Sequence, residues 1–312
     1  MSNFAKVVQA SLQTTGYVAD EYLAAQVALL LCQDSGAVKA MLLDGPPGAG
    51  KTALAKAVAK ILSSNFVYVP AHPGSTPEDF LYDINIVQIL KGVGGDATAV
   101  RSAEDVIDLG FLPKVFQMSQ NGLVVALVDE LDKSSHKVDS LFLSALQEGE
   151  VMVKGLGPIK ANLDNIIIFF TKNGERMVSE PLMRRCRRAY LDFPGEDLEL
   201  LILKGELSTT ACQTISMPKF QAPKAGDALL RLLIAAANQL RQQGQNMLKA
   251  PCTAELSVAA TDLMHLKSWQ IAQDVKVRVA MQWLAAYPED MALAIRLLDD
   301  KRKFTRMVGM VA

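Results

Sequence analysis

Short runs of consecutive apolar residues alternate with stretches of helical periodicity over the first 194 residues of the chain. Strands are predicted at AMLLD from Ala40, FVYVP from Phe66, GLVVALVDE from Gly122, NIIIFFT from Asn165 and AYLDF from Ala189. Helical spacing of apolar residues lies between them, over Glu21–Leu31, from about Thr52 to Leu62 and from Val138 to Leu146. Strands that alternate with helices predict a parallel sheet with helices on both of its faces.

The strand pattern ends at Pro194, and the remaining residues show mainly helical periodicity. Helices are predicted over residues 197–207, 228–242, 253–266, 275–286 and 290–301. Because 312 residues are more than one compact core usually organises, we predict two domains. An α/β domain spans residues 1–194, and a smaller all-helical domain spans residues 195–312.

Two segments interrupt the α/β order. Residues 84–100, INIVQILKGVGGDATAV, are predicted to be an extended stretch with a glycine-rich tip. Residues 150–161, EVMVKGLGPIKA, are predicted to be a β-hairpin whose tip lies at Gly155–Gly157. Both segments are predicted to be insertions into the α/β domain.

The charge and cysteine composition limits the kinds of binding partner that we expect. Lys and Arg total 32 and Asp and Glu total 33, so the formal net charge is -1. That balance gives no global reason to expect nucleic acid or an acidic membrane surface. The four cysteines lack metal-ligand or redox spacing, and no apolar run approaches membrane-spanning length. We therefore expect a cytoplasmic protein in a reducing compartment, without a membrane.

The segment GPPGAGKT, Gly45–Thr52, fits the phosphate-binding loop pattern G-x-x-x-x-G-K-[ST]. Glycines let backbone N–H groups turn toward phosphate oxygens, and the following helix presents its positive N-terminus to them. A chance turn is the alternative, but a strand precedes this loop and a helix follows it. The residues predicted to contact ATP here are Gly45, Pro46, Pro47, Gly48, Ala49, Gly50, Lys51, Thr52 and Ala53. Lys51 is also predicted to be catalytic, through its charge on the β- and γ-phosphates.

The strand LVVALVDE ends in two carboxylates. Asp129 is placed to hold Mg²⁺ together with the Thr52 hydroxyl, and Glu130 is placed to activate a water molecule. A solvated turn would carry the same residues, but the upstream phosphate loop makes that alternative weak. A small-molecule kinase would not need Glu130 as a water activator. The GTPase base-recognition pattern N-K-x-D is absent from the sequence.

Polar residues follow the next strands. Asn173, after FFTK, is a candidate for orienting the attacking water between Glu130 and the γ-phosphate. The cluster Arg184, Arg185, Arg187 and Arg188 has three interpretations: a solvated face, a nucleic-acid patch, or charge supplied to a neighbour's nucleotide. Nucleic acid is the weakest of the three, because no aromatic residues interleave the arginines for stacking.

The order of these motifs resembles that of the AAA+ ATPases. In that family they are Walker A, Walker B, sensor 1 and the arginine finger, and a helical domain forms a lid. The resemblance implies a P-loop NTPase parallel sheet in the order 5-1-4-3-2. It covers nearly the whole chain up to about Pro194, and beyond that it is only architectural.

Within the family the chain resembles the MoxR-type branch, particularly the carbon-monoxide-dehydrogenase maturation ATPases. GYVADEYLAAQVALLL, the insertion after TPEDFLYD, the hairpin and LMRRCRRAYLDFP carry this resemblance. It implies Arg185 as the finger, with Arg184 the second choice, and an adenine pocket that Tyr17 and Val18 line. Sensor 1 departs from the branch, because Gly174 follows Asn173 where proline is common. Arg278 is the best sensor 2 candidate, and a solvated arginine is an equal alternative.

The resemblance implies an Mg²⁺-dependent ATPase that forms a homo-oligomeric ring, with a hexamer as the expected assembly. It further implies a chaperone-like role on a protein client, often with a von Willebrand A domain partner. The inserts near Lys91 and Lys154 would then line a pore or a substrate face. Two rivals stay open: a nucleic-acid-directed motor or loader, and a nucleotide-gated scaffold without turnover.

Overall fold

The computed structural model describes residues 4–33, 36–93, 102, 105–209, 226–267 and 282–298. The chain divides into two compact units. One comprises Met1–Pro46 and Gly50–Asp192, and the other comprises Pro47–Ala49 and Phe193–Ala312. The predicted domain bounds and the lid role of the helical part stay predictions.

The first unit contains all the strands that the structure describes. They are β1 (Lys39–Asp44), β2 (Asn65–Pro70), β3 (Tyr82–Ile84), β4 (Ile107–Leu109), β5 (Val124–Asp129), β6 (Glu150–Val153), β7 (Gly157–Lys160), β8 (Ile166–Lys172) and β9 (Arg187–Tyr190). Five of them form a parallel sheet in the order β2-β5-β8-β1-β9. Numbered among themselves along the chain, these strands have the order 5-1-4-3-2, which confirms the predicted topology.

Eight helices of the first unit are described. They are α1 (Phe4–Thr14), α2 (Glu21–Leu31), α3 (Lys51–Ile61), α4 (Pro77–Leu81), α5 (Ile86–Val93), α6 (Phe111–Asn121), α7 (His136–Glu148) and α8 (Glu180–Arg185). Helices α1, α6 and α8 are not among the elements that the sequence pattern predicts. Pro113 lies in the first turn of α6, where its missing N–H breaks no helical hydrogen bond.

The second unit is helical in its described part. Its helices are α9 (Glu196–Thr209), α10 (Asp227–Arg241), α11 (Thr253–Lys267) and α12 (Pro288–Leu298). They share a core of aliphatic side chains that includes Leu203, Leu233 and Leu263. Most of the predicted helix at 275–286 lies outside the described residues. None of the helices in the described ranges has the length and hydrophobicity of a membrane span.

The core of the first unit lies between the sheet and its helices. The strand β5, which lies between β2 and β8, is buried along its apolar length, which is why its sequence shows no polar alternation. On one face, Phe142 of α7 makes edge-to-face contacts with Phe80 and Phe170, at ring-centroid distances of 5.2 and 5.1 Å. This packing fixes α7 against β8, and therefore fixes the loops at the carboxyl ends of the strands.

Two predicted local structures differ from the observed ones. Residues 86–93 form helix α5 rather than an extended stretch, because Ile86, Ile89 and Leu90 have the i, i+3, i+4 spacing of a helical face. The glycine-rich tip that follows lies outside the described residues. The fifth sheet strand begins at Arg187, two residues before the predicted start, because Arg187 and Arg188 already pair with Met41 and Leu42 of β1.

Strands β3 and β4, which precede and follow α5 along the chain, pair with each other in antiparallel orientation. Strands β6 and β7 form a second antiparallel pair. In β6, Val151 and Val153 are buried while Met152 between them is exposed. The alternation means that one face of this hairpin packs on the unit and the other faces outward.

Candidate functional site

The phosphate-binding loop leaves β1 through a glycine that no other residue can replace without strain. Gly45 has φ +143°, and a Cβ built there would lie 1.9 Å from the carbonyl oxygen of Leu191. The amide of Leu191 in turn donates to the carbonyl of Asp44 at 2.8 Å. Gly50, at φ +89°, ends the loop just before α3. Pro47–Ala49, the middle of the loop, group with the second compact unit.

Lys51 begins α3 and is turned back into the loop. Its ammonium donates to the carbonyl oxygens of Gly45 at 2.5 Å and Pro46 at 2.8 Å, and the residue is 6% exposed. Burial lowers the pKa of Lys51, and the negative charges of the surrounding carboxylates oppose that shift. These carboxylates belong to Asp44, Asp129, Asp132 and Glu130. A buried cation enclosed by loop carbonyls has one N–H left for an anionic group entering the loop.

Thr52 and Asp129 lie together although 77 residues separate them in the chain. The Thr52 hydroxyl donates to the two carboxylate oxygens of Asp129 at 3.2 and 3.0 Å. Thr171, at the end of β8, also donates its hydroxyl to Asp129, and Tyr68 of β2 does so at 3.4 Å. A hydroxyl beside a carboxylate is an oxygen donor set that suits Mg²⁺. The residues present therefore fit a magnesium ion bound with a nucleotide.

Glu130 follows Asp129 in a left-handed conformation, at φ +55° and ψ +44°. This backbone is uncommon for a residue with a side chain, and it carries strain. The Glu130 amide donates to the Thr171 hydroxyl at 2.8 Å, so the turn is fixed to β8. One carboxylate oxygen accepts the side-chain amide of Asn173 at 3.0 Å, and the other lies 2.8 Å from the ammonium of Lys133.

Lys133 was not predicted to be part of the site. Its hydrogen bond with Glu130 raises the pKa of Lys133, and Glu175 lies 3.8 Å from the same ammonium. A lysine three residues after the carboxylate is an ordinary helix-turn spacing, so no sequence pattern indicates a special role for Lys133.

Tyr17 and Val18, predicted for an adenine pocket, follow α1 and are half-buried. Burial, and secondarily the charge of Asp20, raises the pKa of the Tyr17 hydroxyl. A Cβ built on Gly50 would lie 3.5 Å from that hydroxyl, so Tyr17 stands beside the end of the phosphate loop. Ala53 lies exposed on α3. Arg278, the sensor 2 candidate, lies outside the described residues.

The arginine cluster is divided between two elements. Arg184 and Arg185 end α8 and are exposed, whereas Arg187 and Arg188 belong to the edge strand β9. Arg184 pairs with Glu180 one helical turn earlier, at 2.9 Å. Within the described ranges, Arg185 has no ion-pair partner. The described part of the first unit brings Lys51, Thr52, Asp129, Glu130 and Asn173 together, and Arg184 and Arg185 make no described contact with that group.

Sequence analysis also missed three charged residues behind the site: Asp132, Asp139 and Arg176. Asp132 and Asp139 are 3% and 0% exposed, which is rare for aspartate unless its oxygens are well bonded. Asp132 accepts three backbone amides of the turn after β8, and Asp139 pairs with Arg176. The burial of Asp132 and Asp139, which no pattern in the sequence indicates, is the signal that distinguishes these two residues.

Comparison with known proteins agrees with this geometry. Residues 40–186 match the family model described as AAA domain (dynein-related subfamily). A Kocuria rhizophila protein named AAA ATPase forming ring-shaped complexes is 32% identical over 152 residues, which cover 48% of this chain and 25% of that protein. The proteasome-associated ATPase of Streptosporangium roseum is 29% identical over 151 residues, which cover 48% of this chain and 24% of that protein. The chain thus spans about a quarter of the length of these curated relatives.

Among solved structures, the Thermotoga maritima RuvB Holliday junction branch migration motor aligns with a TM-score of 0.45 and 13% identity, over 95% of this chain and 67% of that chain. The family match spans the strand before the phosphate loop, the carboxylates of Asp129 and Glu130, and the arginines that end α8. An AAA domain implies a bound nucleotide, in agreement with the loop around Lys51. Residues 40–186 of this chain are therefore similar to an AAA domain.

Proposed function

We propose that this protein binds ATP with Mg²⁺ at the carboxyl edge of its parallel sheet and hydrolyses it. One observation carries the proposal. The described residues place Thr52 within 3.2 Å of Asp129, and the adjacent Glu130 within 3.0 Å of Asn173. Magnesium ligands and a water-activating pair thus lie side by side, next to a loop that holds a buried lysine.

Each residue has a chemical role in this proposal. Lys51 would offer its charge to the β- and γ-phosphate oxygens, and Thr52 and Asp129 would hold Mg²⁺. When bound, Mg²⁺ neutralises charge that develops on the phosphates. Glu130 accepts a proton from the attacking water, and Asn173 orients that water and the carboxylate. Lys133 pairs with one Glu130 oxygen, and the carboxylate keeps further lone pairs that can accept the proton.

The proposal extends to a homo-oligomeric ring, a hexamer, in which Arg185 reaches a neighbour's nucleotide. Two facts support it. Arg185 is exposed and has no ion-pair partner within the described ranges, and the name of one matched relative describes ring-shaped complexes. An exposed cation at the end of a short helix is free to act across an interface. Arg184, already paired with Glu180, is the weaker candidate.

For the specific biological role, we propose a MoxR-type ATPase that matures or remodels a protein client. The support is the set of segments that resemble that branch, together with the two insertions. Helix α5 exposes Ile86, Val87 and Leu90, and the hairpin exposes Met152. These side chains are available for contact with a client, and a von Willebrand A domain partner is part of the same proposal.

Steady-state phosphate release from ATP, with Mg²⁺ and with Mg²⁺ replaced by EDTA, tests the proposed activity. Lys51→Ala is the matched control, because it removes the cation that faces the phosphates and should abolish ATP binding in a calorimetric titration. Turnover in the parent and none in Lys51→Ala supports the ATPase. ATP binding without turnover would favour a nucleotide-gated scaffold, and turnover that rises strongly with DNA would favour the nucleic-acid motor.

A further inference from the structure

The Glu130–Asn173 contact joins two segments that leave the sheet at neighbouring strands, and neither side chain fixes the backbone of the other. The segment after β5 carries Glu130, and the segment after β8 carries Asn173. A displacement of either backbone would separate the carboxylate from the amide. The groups that hold these two segments together therefore decide the geometry of the proposed water-activating pair.

Asp132 holds the segment after β8 from one side. A single oxygen of its carboxylate, Oδ2, accepts the backbone amides of Asn173, Gly174 and Glu175 at 2.9, 2.8 and 2.8 Å. Three successive N–H groups around one anion form a binding nest, and hydrogen bonds to a charged acceptor are roughly twice as strong as neutral ones. Asp132 is 3% exposed, so water offers these amides little competition.

Arg176 connects the same two segments from the other one: it lies after β8 and donates to the segment after β5. Its guanidinium donates to the carbonyl oxygens of Ser134 at 2.5 Å and of Leu131 at 3.3 Å, both in the segment that follows Glu130. It also forms a two-pronged pair with the fully buried Asp139, at 2.8 and 2.6 Å. The other titratable group facing this pair is His136, whose ring nitrogen lies 3.3 Å from Asp139.

We infer that Asp132, Asp139 and Arg176 form a clamp that positions Asn173 against Glu130. None of the three touches either side chain, so they are positioning residues rather than catalytic ones. The clamp also continues to α8, because Asp139 accepts the amide of Ser179, the residue before that helix. The strained Glu130 turn is thereby held by the hydrogen bonds of Arg176 to the carbonyl oxygens of Leu131 and Ser134, as a strained functional residue requires. This inference rests on the proposed ATP hydrolysis.

The clamp predicts a specific kinetic signature. Asp132→Asn keeps the shape of the side chain but removes its charge, so its hydrogen bonds to the three backbone amides are weaker. The Asn173 side chain is then no longer held in position against Glu130. We expect the single-turnover rate at saturating ATP to fall on the order of 10²-fold, the effect of a displacement near 1 Å at a reacting group. ATP affinity should stay unchanged, because the phosphate loop is intact.

A double-mutant comparison separates positioning from general damage. If Asp132 acts through Asn173, then Asp132→Asn combined with Asn173→Ala should be no slower than Asn173→Ala alone. Asp290→Asn is the matched control. Asp290 is also buried and accepts two backbone amides, from Leu248 and Lys249 at 2.8 and 3.1 Å, and its variant should hydrolyse ATP at the parent rate.

A parent-like rate in Asp132→Asn, or losses that multiply in the double variant, would overturn the clamp. If Asp132→Asn does not fold, Arg176→Lys takes its place in the same comparison, because lysine keeps the charge but loses the two-pronged geometry. Failure of the clamp is distinguishable from failure of the proposed function. In the first case the parent hydrolyses ATP and Asn173→Ala is slow, and in the second the parent itself does not turn over.

Discussion

The backbone conformations of two residues, Gly45 and Glu130, shape the candidate site. At Gly45 the chain takes a conformation that favours glycine and passes within contact distance of Leu191. At Glu130 it takes a left-handed conformation despite a side chain. The first position makes room for a ligand-binding loop, and the second points a carboxylate beside Asp129. Both are local departures from regular structure that the surrounding hydrogen bonds maintain.

Gly45→Ala should destabilise the protein even without a nucleotide. The new methyl group would lie 1.9 Å from the Leu191 carbonyl in a backbone region reserved for glycine. We expect a loss of about 2–5 kcal/mol in the free energy of unfolding, from strain and overpacking together. Chemical denaturation measures it. Gly36→Ala is the control, since its Cβ meets nothing within 4 Å, and an equally small loss in both variants would refute the steric argument.

At this scale the sequence predicts which residues converge but not how they are held. The phosphate loop and the carboxylate pair are recognisable because their chemistry requires fixed spacing. Asp132 and Arg176 are not, because their roles come from burial and from partners about 40 residues away in the chain. Long-range contacts of this kind leave no periodic signal.

Among elements, the helices of the second unit meet at a buried ion pair. Glu199 of α9 is fully buried and accepts both terminal nitrogens of Arg241 of α10, each at 2.8 Å. Thr253, at the start of α11, donates its hydroxyl to the same carboxylate at 2.8 Å. Arg241 also stacks over the ring of Phe193, 4.3 Å from its centre. One carboxylate thus ties three helices together.

Glu199→Ala should destabilise the second unit strongly. Removing one partner leaves the Arg241 charge buried without compensation, which costs about 3–5 kcal/mol. The exposed pair Asp197–Arg231, at 3.3 Å on the same two helices, is the control, and Asp197→Ala should cost about 1 kcal/mol or less. Differential scanning calorimetry of both variants checks the contrast. Similar losses in the two would mean that the buried pair contributes no more than a surface one.

Elements with long runs of apolar residues were predictable from the sequence. Elements in which polar residues interrupt the apolar ones were not. The buried strands β5 and β8 follow directly from VVALVD and IIIFFT. Helix α6 was missed because Pro113 and several polar residues obscure its apolar face, although that face buries Leu112, Val115 and Phe116. The start of β9 was misplaced because pairing with β1, rather than hydrophobicity, brings two arginines into the sheet.

For the whole molecule, the proposal places Arg185 in the site of a neighbouring copy. Arg185→Ala should therefore bind ATP normally and hydrolyse it roughly 10³–10⁵-fold more slowly. Mixing the Lys51→Ala and Arg185→Ala variants tests whether Arg185 acts between subunits. A Lys51→Ala subunit keeps its arginine, and an Arg185→Ala subunit keeps its phosphate loop, so a working site forms where the first serves the second.

The mixture has a quantitative expectation. Ring interfaces are heterologous, so in an equal random mixture about a quarter of them combine an intact loop with an intact arginine. Phosphate release should recover toward that fraction after dissociation and reassembly. No recovery at any ratio, with mixed assemblies seen by native mass spectrometry, would mean that Arg185 does not act between subunits.

The central claim is that this sheet edge hydrolyses ATP with Glu130 as the general base, and Glu130→Gln tests it most directly. Glutamine preserves the shape and the contact with Asn173 but cannot accept the proton of the attacking water. The measurement is single-turnover hydrolysis of bound ATP, with affinity determined in parallel. We expect retained ATP affinity and a rate lower on the order of 10²–10⁴-fold, so that the nucleotide stays trapped. Hydrolysis at the parent rate would contradict it, because the water would then be activated without Glu130.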